Sequence, residues 1–203
     1  MEYEFLDVMR QNVAYVAKYK EETKEIQMRA KRFTYEYNHT APEDEEGRKN
    51  ILKSLFENED LNVIIEPPFY CDYGFNIHFE GFALINYNCC ILDTSPVYLG
   101  ENTFIAPGVC IACAGHGIHP EERNVNTSKP VFIGKNVWIG ANSTVLAGVH
   151  IGEGSIIGAG SVVTGDIPEH VIAAGNPCKV LRKITEEDRL NLSEEIRVMK
   201  TWR

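Results

Sequence analysis

The chain has 203 residues, 44% of them hydrophobic, and a formal net charge of −9, which suits one well-buried domain with extensions. That acidic balance excludes a broad nucleic-acid footprint, and no run approaches the roughly 18 apolar residues of a membrane span. The start, Met1-Glu2-Tyr3-Glu4, lacks the apolar core of a secretory leader, so a cytoplasmic location is expected, with no membrane or nucleic-acid partner. Six cysteines, at 71, 89, 90, 110, 113 and 178, do not form the framework of a secreted mini-protein and read as reduced thiols.

In chain order, residues 1–60 are predicted to be an N-terminal helical segment packing on the rest. Glu21 to Tyr37 is charged and helix-compatible, and Thr40-Ala-Pro-Glu43 resembles a capping box with proline in the first turn. A helix through Leu55-Phe56 should follow, with Ile51, Leu52, Leu55 and Phe56 on one face. Glu66-Pro67-Pro68 then punctuates the chain. Residues 61–184 carry a period of six. It is weak at Ile77, Ala83 and Cys89, slips between 89 and 99, and returns at Leu99, Ile105 and Ile111. It breaks again at about 114–130, a polar excursion loop rich in turn formers. From there Ile133, Ile139, Val145, Ile151, Ile157 and Val163 recur without interruption, and glycine follows the aliphatic residue in four of these six blocks. The fifth place of each block is small or β-branched. The reading is mainly β: a parallel β-solenoid with three blocks to a triangular coil, the aliphatic residue inward and glycine permitting the tight corner. Stacked coils should sit about 4.8 Å apart, and several are needed to bury one another's faces. Thr185-Glu-Glu-Asp188 resembles a second capping box opening a C-terminal helix over 185–203.

Several side chains invite chemistry. Lys179, Arg182 and Lys183 are the basic cluster near the repeat, either a seat for an anionic ligand or a solvated patch. Cys110-Ile-Ala-Cys113 with His116 hints at a metal, but no second pair stands at ligand spacing, so none is assigned. His116 ends a repeat block where the loop departs and suits a general base, since imidazole exchanges protons near neutrality. The plainer alternative is a loop histidine bonded to backbone. His119 is its competitor.

Tyr35-Glu-Tyr-Asn-His39, Glu66-Pro-Pro-Phe-Tyr70, Asn86-Tyr-Asn88, Gly115-His116, Asn136-Val-Trp-Ile-Gly140 and Ala174-Gly-Asn-Pro-Cys178 follow one another in order. Together they resemble the maltose and galactoside O-acetyltransferases of the hexapeptide-repeat class, over about residues 30 to 185. The resemblance implies a left-handed β-helix, a homotrimer with active sites between subunits, and direct acetyl transfer from acetyl-CoA to a small hydroxylated acceptor without a metal. It places the catalytic base at His116 and an acceptor contact at Asn86. Trp138 becomes a wall near the pantetheine arm. Ala141, Ala159, Thr164 and Gly165 become coenzyme contacts, with Lys179 and Arg182 near the phosphates.

The acceptor positions depart from the family pattern. Lys18 and Gln27 stand where sugar-acetylating relatives carry an acidic and a basic residue. Thr94 replaces an acidic contact with Asp93 beside it, Leu84 replaces a tyrosine, and Asp72 replaces a small serine. Two further readings remain at this point: a non-catalytic β-helical scaffold or binding protein, and a β-helical metalloenzyme of the γ-carbonic-anhydrase kind using His78, His116 and His119.

Overall fold

The computed structural model describes residues 5–18 and 22–190. Its body is a parallel β-solenoid with three faces. The first face stacks Val63–Ile65, Ala83–Ile85, Thr103–Ile105, Trp138–Ile139, Ile156–Ile157 and Val171–Ala174. The second stacks Phe69–Cys71, Cys89–Leu92, Cys110–Ala112, Thr144–Val145 and Val162–Val163, and the third Ile77–Phe79, Val97–Leu99, Val131–Ile133 and His150–Ile151. Register is fixed rung by rung: Ile85 pairs with Ile105 and Ile105 with Ile139, so the aliphatic positions pile into one column per face.

The six-residue period is the cause. Ile133, Ile139, Val145, Ile151, Ile157 and Val163 are all buried, and so are the fifth places Val137, Ser143, Val149, Ser155 and Ser161, while Ile167, also buried, pairs with Ile151 and so joins the aliphatic column. Each block therefore sends two side chains inward, one on either side of an outward residue, as a two-residue strand period requires. The buried serines are satisfied by the coil above: Ser143 Oγ donates to the Gly158 carbonyl at 3.1 Å and Ser155 Oγ to the Pro168 carbonyl at 2.7 Å. In the early coils Ile77 pairs with Val97 and Phe79 with Leu99. Ile77, Ala83 and Cys89 thus occupy the fifth-place column, and the phase-setting residues are Phe79, Ile85 and Ile91.

Glycine after the aliphatic residue serves a different purpose from the one expected. The left-handed corner residue is the fourth of each of the first five blocks: Asn136 (φ 55°), Asn142 (57°), Gly148 (82°), Gly154 (67°) and Gly160 (70°). Gly140 itself faces the next coil, where a Cβ would come within 2.6 Å of the Ala159 nitrogen. It is glycine because two backbones approach closely there.

Helices close one end. α1 (Phe5–Met9), α2 (Glu22–His39) and α3 (Glu45–Phe56) precede the coils. Within the N-terminal segment, Tyr15–Lys18 is a strand, which the helical expectation omitted. α3 buries Leu52, Leu55 and Phe56 against the first coil, with Ile51 packed beside them. Asn38 of α2 caps that coil in both directions, donating to the Phe69 carbonyl at 3.0 Å and accepting from the Phe69 nitrogen at 2.9 Å. The start of α3 corrects the expected cap. Thr40 Oγ1 is already bonded back to the Glu36 carbonyl at 2.7 Å, and Asp44 caps α3 by accepting from the Gly47 nitrogen at 3.0 Å. The far end is closed by the antiparallel hairpin of Val171–Ala174 with Lys179–Lys183. Beyond it, Thr185 N donates to Asp188 as expected, at 2.8 Å, yet only a 3-10 turn over Glu186–Asp188 forms and Arg189 is extended. The Asp188 carboxylate is held in a two-pronged pair by Arg182, at 2.7 and 2.8 Å. The remainder of the expected C-terminal helix, 191–203, lies outside the described residues.

Candidate active site

All departures from the six-residue period fall at the corner between the second and third faces. The step from Cys71 to Phe79 and from Ile91 to Leu99 is eight residues, and from Ile111 to Ile133 it is twenty-two. Stacked insertions thus build a ledge on one edge of a regular prism. The 114–130 excursion is an ordered hairpin. Ala114–His116 pairs with Val125–Ser128, which also pairs with Tyr15–Lys18 on its other side, so the N-terminal strand completes a three-stranded sheet. Tyr15 Oη donates to the Thr94 carbonyl at 2.6 Å, and the hydroxyls of Thr94, Ser128 and Ser95 join at 2.7 Å each. These contacts tie the hairpin to the second coil.

Between hairpin, ledge and helices lies a cleft of about 690 Å³, open to solvent. His116 lines it with Tyr15, Gln27, Asp72, Tyr73 and Thr94, and with Phe5 of α1 at its rim. His116 is exposed, and among the described residues no side-chain hydrogen bond occupies its imidazole. His119 is elsewhere engaged: its Nδ1 accepts from the Glu121 nitrogen at 3.3 Å and caps a short 3-10 turn. Gln27 reaches Tyr73 Oη at 3.2 Å. The side chain of Lys18 lies outside the described residues.

Asp93 lies behind the cleft and is sealed from solvent. Its Oδ1 accepts from the Asp72 and Tyr73 nitrogens at 3.0 and 2.9 Å. Burial, only partly offset by those bonds, pushes its carboxyl up to about 7. Its Oδ2 and the Oδ1 of buried Asn76 have no partner among the described residues. Asp72 itself is half-buried, and desolvation raises its carboxyl while Lys31 pulls the other way.

The remaining site residues stand on a different edge. Leu84 and Trp138 point outward from the first face, and Trp138 is 52% exposed between Phe104 below and Ile156 above. Asn86, Ala141 and Ala159 follow at the corner between the first and second faces. Asn86 Oδ1 accepts from the Tyr87 nitrogen at 2.9 Å, which leaves its amide nitrogen as the group available to a ligand. Thr164 and Gly165 sit exposed on the His116 edge, two coils further on. Lys179 and Arg182 are exposed on the capping hairpin, Arg182 already paired with Asp188. One chain therefore brings His116, Asp72, Thr94 and Gln27 together and holds Asn86, Leu84, Trp138, Ala141 and Ala159 apart from them.

The metal alternatives diverge in space. Cys113 points into the core while His116 is exposed. His78 stacks on Tyr98 on the third face at 4.8 Å, away from both His116 and His119. Among the described residues no cluster of three or more His, Cys, Asp or Glu stands ready for a metal, and no helix is long and apolar enough to cross a membrane. Tyr15, Phe5 and Tyr73 were not singled out from sequence. Tyr15-Val-Ala-Lys18 is a four-residue run whose strand partner lies more than a hundred residues away, a pairing that no local pattern announces.

The description "Bacterial transferase hexapeptide (six repeats)" matches residues 130–165, and "Maltose acetyltransferase hexapeptide capping motif" matches residues 9–58. The galactoside O-acetyltransferase of Escherichia coli is 43% identical over 167 residues, 81% of this chain and 82% of that protein. The crystal structure of a maltose O-acetyltransferase from Clostridium difficile is 40% identical with a TM-score of 0.78, over 82% of this chain and 90% of that one. A galactoside acetyltransferase solved with coenzyme A is 38% identical with a TM-score of 0.81, over 92% and 94%. Solenoid, capping helices and these likenesses define a hexapeptide-repeat acyltransferase. Within that class the chain belongs to the maltose and galactoside O-acetyltransferase family, and it is an acetyltransferase.

Proposed function

We propose that the chain moves acetyl directly from acetyl-CoA to a hydroxyl of a small sugar-like acceptor, with His116 as general base, at sites shared between subunits of a homotrimer. The observation that carries this reading is the unengaged His116 imidazole, exposed in a concave cleft beside the polar side chains of Tyr15, Gln27, Asp72 and Thr94. The acceptor hydroxyl sits against the imidazole, which takes its proton as the oxygen attacks the thioester carbonyl. The O–C bond forms, the C–S bond breaks, and the proton passes to the departing thiolate. Donors must meet the developing oxyanion. The free amide nitrogen of Asn86 and the backbone N–H of Ala141 are the candidates.

Those donors lie on the other edge of the prism, which is what supports the shared site. Three prisms around an axis set one subunit's His116 edge against its neighbour's Asn86 edge. The groove between them runs past Trp138, Ala141 and Ala159, where small residues leave the backbone open to a long pantetheine chain, toward Lys179 and Arg182. Lys179 is in no ion pair among the described residues and offers its charge outright, whereas Arg182 must share its guanidinium with Asp188. A thiol-release assay with acetyl-CoA and a panel of sugars tests the reading. Wild type should turn over, and His116→Ala should lose about 10²–10⁴-fold in kcat. Full activity in that variant would remove the histidine from the mechanism.

A further inference from the structure

Resting on the acetyl-transfer reading of this cleft, we infer that the natural acceptor carries a protonated amine near the hydroxyl that is acetylated, as in an amino sugar or small amino alcohol, and that Asp72 holds the ammonium. Asp72 is the one carboxylate among the described residues that line the cleft with His116. Its main chain is fixed, because its nitrogen donates to the sealed Asp93 carboxyl at 3.0 Å. Its side chain, by contrast, makes no ion pair and no hydrogen bond among the described residues. Asp93 cannot relieve it, being an acid itself and bonded to backbone. Gln27, where relatives carry a basic residue, supplies no charge. Lys31 acts on it only from beyond ion-pair distance, so the half-buried carboxylate has no cation in contact with it.

The walls suit that cation. Phe5, Tyr15 and Tyr73 line the same space, and an ammonium there gains the carboxylate's charge-assisted bond together with any aromatic ring face turned toward it. The carboxylate also settles which group reacts. It raises the amine's affinity for its proton, and an ammonium has no lone pair with which to attack a thioester. The acetyl group therefore goes to the neighbouring hydroxyl at His116, whose proton leaves through the imidazole.

Binding and transfer are read separately. Glucose, glucosamine and glucuronate are titrated calorimetrically into the protein with coenzyme A present, in wild type and Asp72→Asn. One charge-assisted bond is worth about 10- to 100-fold. Wild type should bind glucosamine tighter than glucose by that factor and glucuronate most weakly, and Asp72→Asn should bring glucosamine down to the level of glucose. Coenzyme binding retained by the variant shows that it is folded. Equal binding of glucose and glucosamine by wild type, preference for glucuronate, or a preference for glucosamine that survives in Asp72→Asn overturns the inference. Thiol release with the same sugars tests the transfer reading by itself. Asp72-dependent glucosamine binding without His116-dependent transfer would sink that reading alone, and transfer without amine preference would sink the amine site alone.

Discussion

Asp93 shows how far one residue can shape this site from behind. Its carboxyl is fully buried, anchors the main chain of Asp72 and Tyr73, and is pushed to about 7 from an ordinary value near 3.8. Its folded-state proton affinity exceeds that of the unfolded chain. Between about pH 4 and pH 7 the unfolded state has lost this proton while the folded state keeps it, so stability falls with rising pH across that window and levels off above it. Asp93→Asn keeps an acceptor oxygen for both N–H groups and removes the titration. Denaturant melts at pH 5 and pH 8 should show wild type losing stability over that interval and Asp93→Asn losing less. A parallel pH response in the two proteins would contradict the assignment. Sequence reading placed Asp93 only as the neighbour of Thr94. Nothing local says that the carboxylate turns inward, because its burial depends on the ledge formed by two separate insertions. His116 was legible because it stands beside glycine where a regular period stops.

At the scale of elements, the period of six was legible because every block repeats its own inward positions, so the pattern is local even though its contacts are between coils. The reason for the glycines was not legible, since it depends on the distance to the next coil. Gly140→Ala would press a methyl to within 2.6 Å of the Ala159 nitrogen and 2.8 Å of the Ile157 oxygen, whereas a Cβ at Gly165 meets nothing within 4 Å. Gly140→Ala should cost about 1–3 kcal/mol by overpacking, and Gly165→Ala should stay within about 0.5 kcal/mol. Thermal melts of both check this, and equal melting temperatures would contradict the close approach. The hairpin makes a second element-scale claim. Tyr15 joins it to the second coil through one bond to the Thr94 carbonyl at 2.6 Å. Tyr15→Phe should lose about 1 kcal/mol and make Arg123, near the hairpin tip, more open to trypsin. Unchanged cleavage there would mean that the strand is held by its backbone ladder alone.

At the scale of the whole molecule, the proposed site is incomplete in one chain. His116 and Asp72 occupy one edge of the prism and Asn86, Trp138 and Ala141 another, and the outward residues of the intervening face, Tyr70, Cys90, Cys110, Thr144 and Val162, are uncharged and, except for Tyr70, small. Such a face suits subunit packing. Light scattering should return three times the 22.9 kDa of one chain, and a monomer that still transfers acetyl would contradict the shared site. Complementation tests the central claim most directly. His116→Ala and Asn86→Ala subunits, each nearly inactive by itself, are unfolded, mixed in equal amounts and refolded together. If the histidine of one subunit works with the asparagine of its neighbour, random assembly leaves about a quarter of the sites with both groups intact, and about that share of wild-type thiol release should return. No recovery, from mixtures shown to contain both subunits in one assembly, would place both residues in a single-chain site and contradict the account.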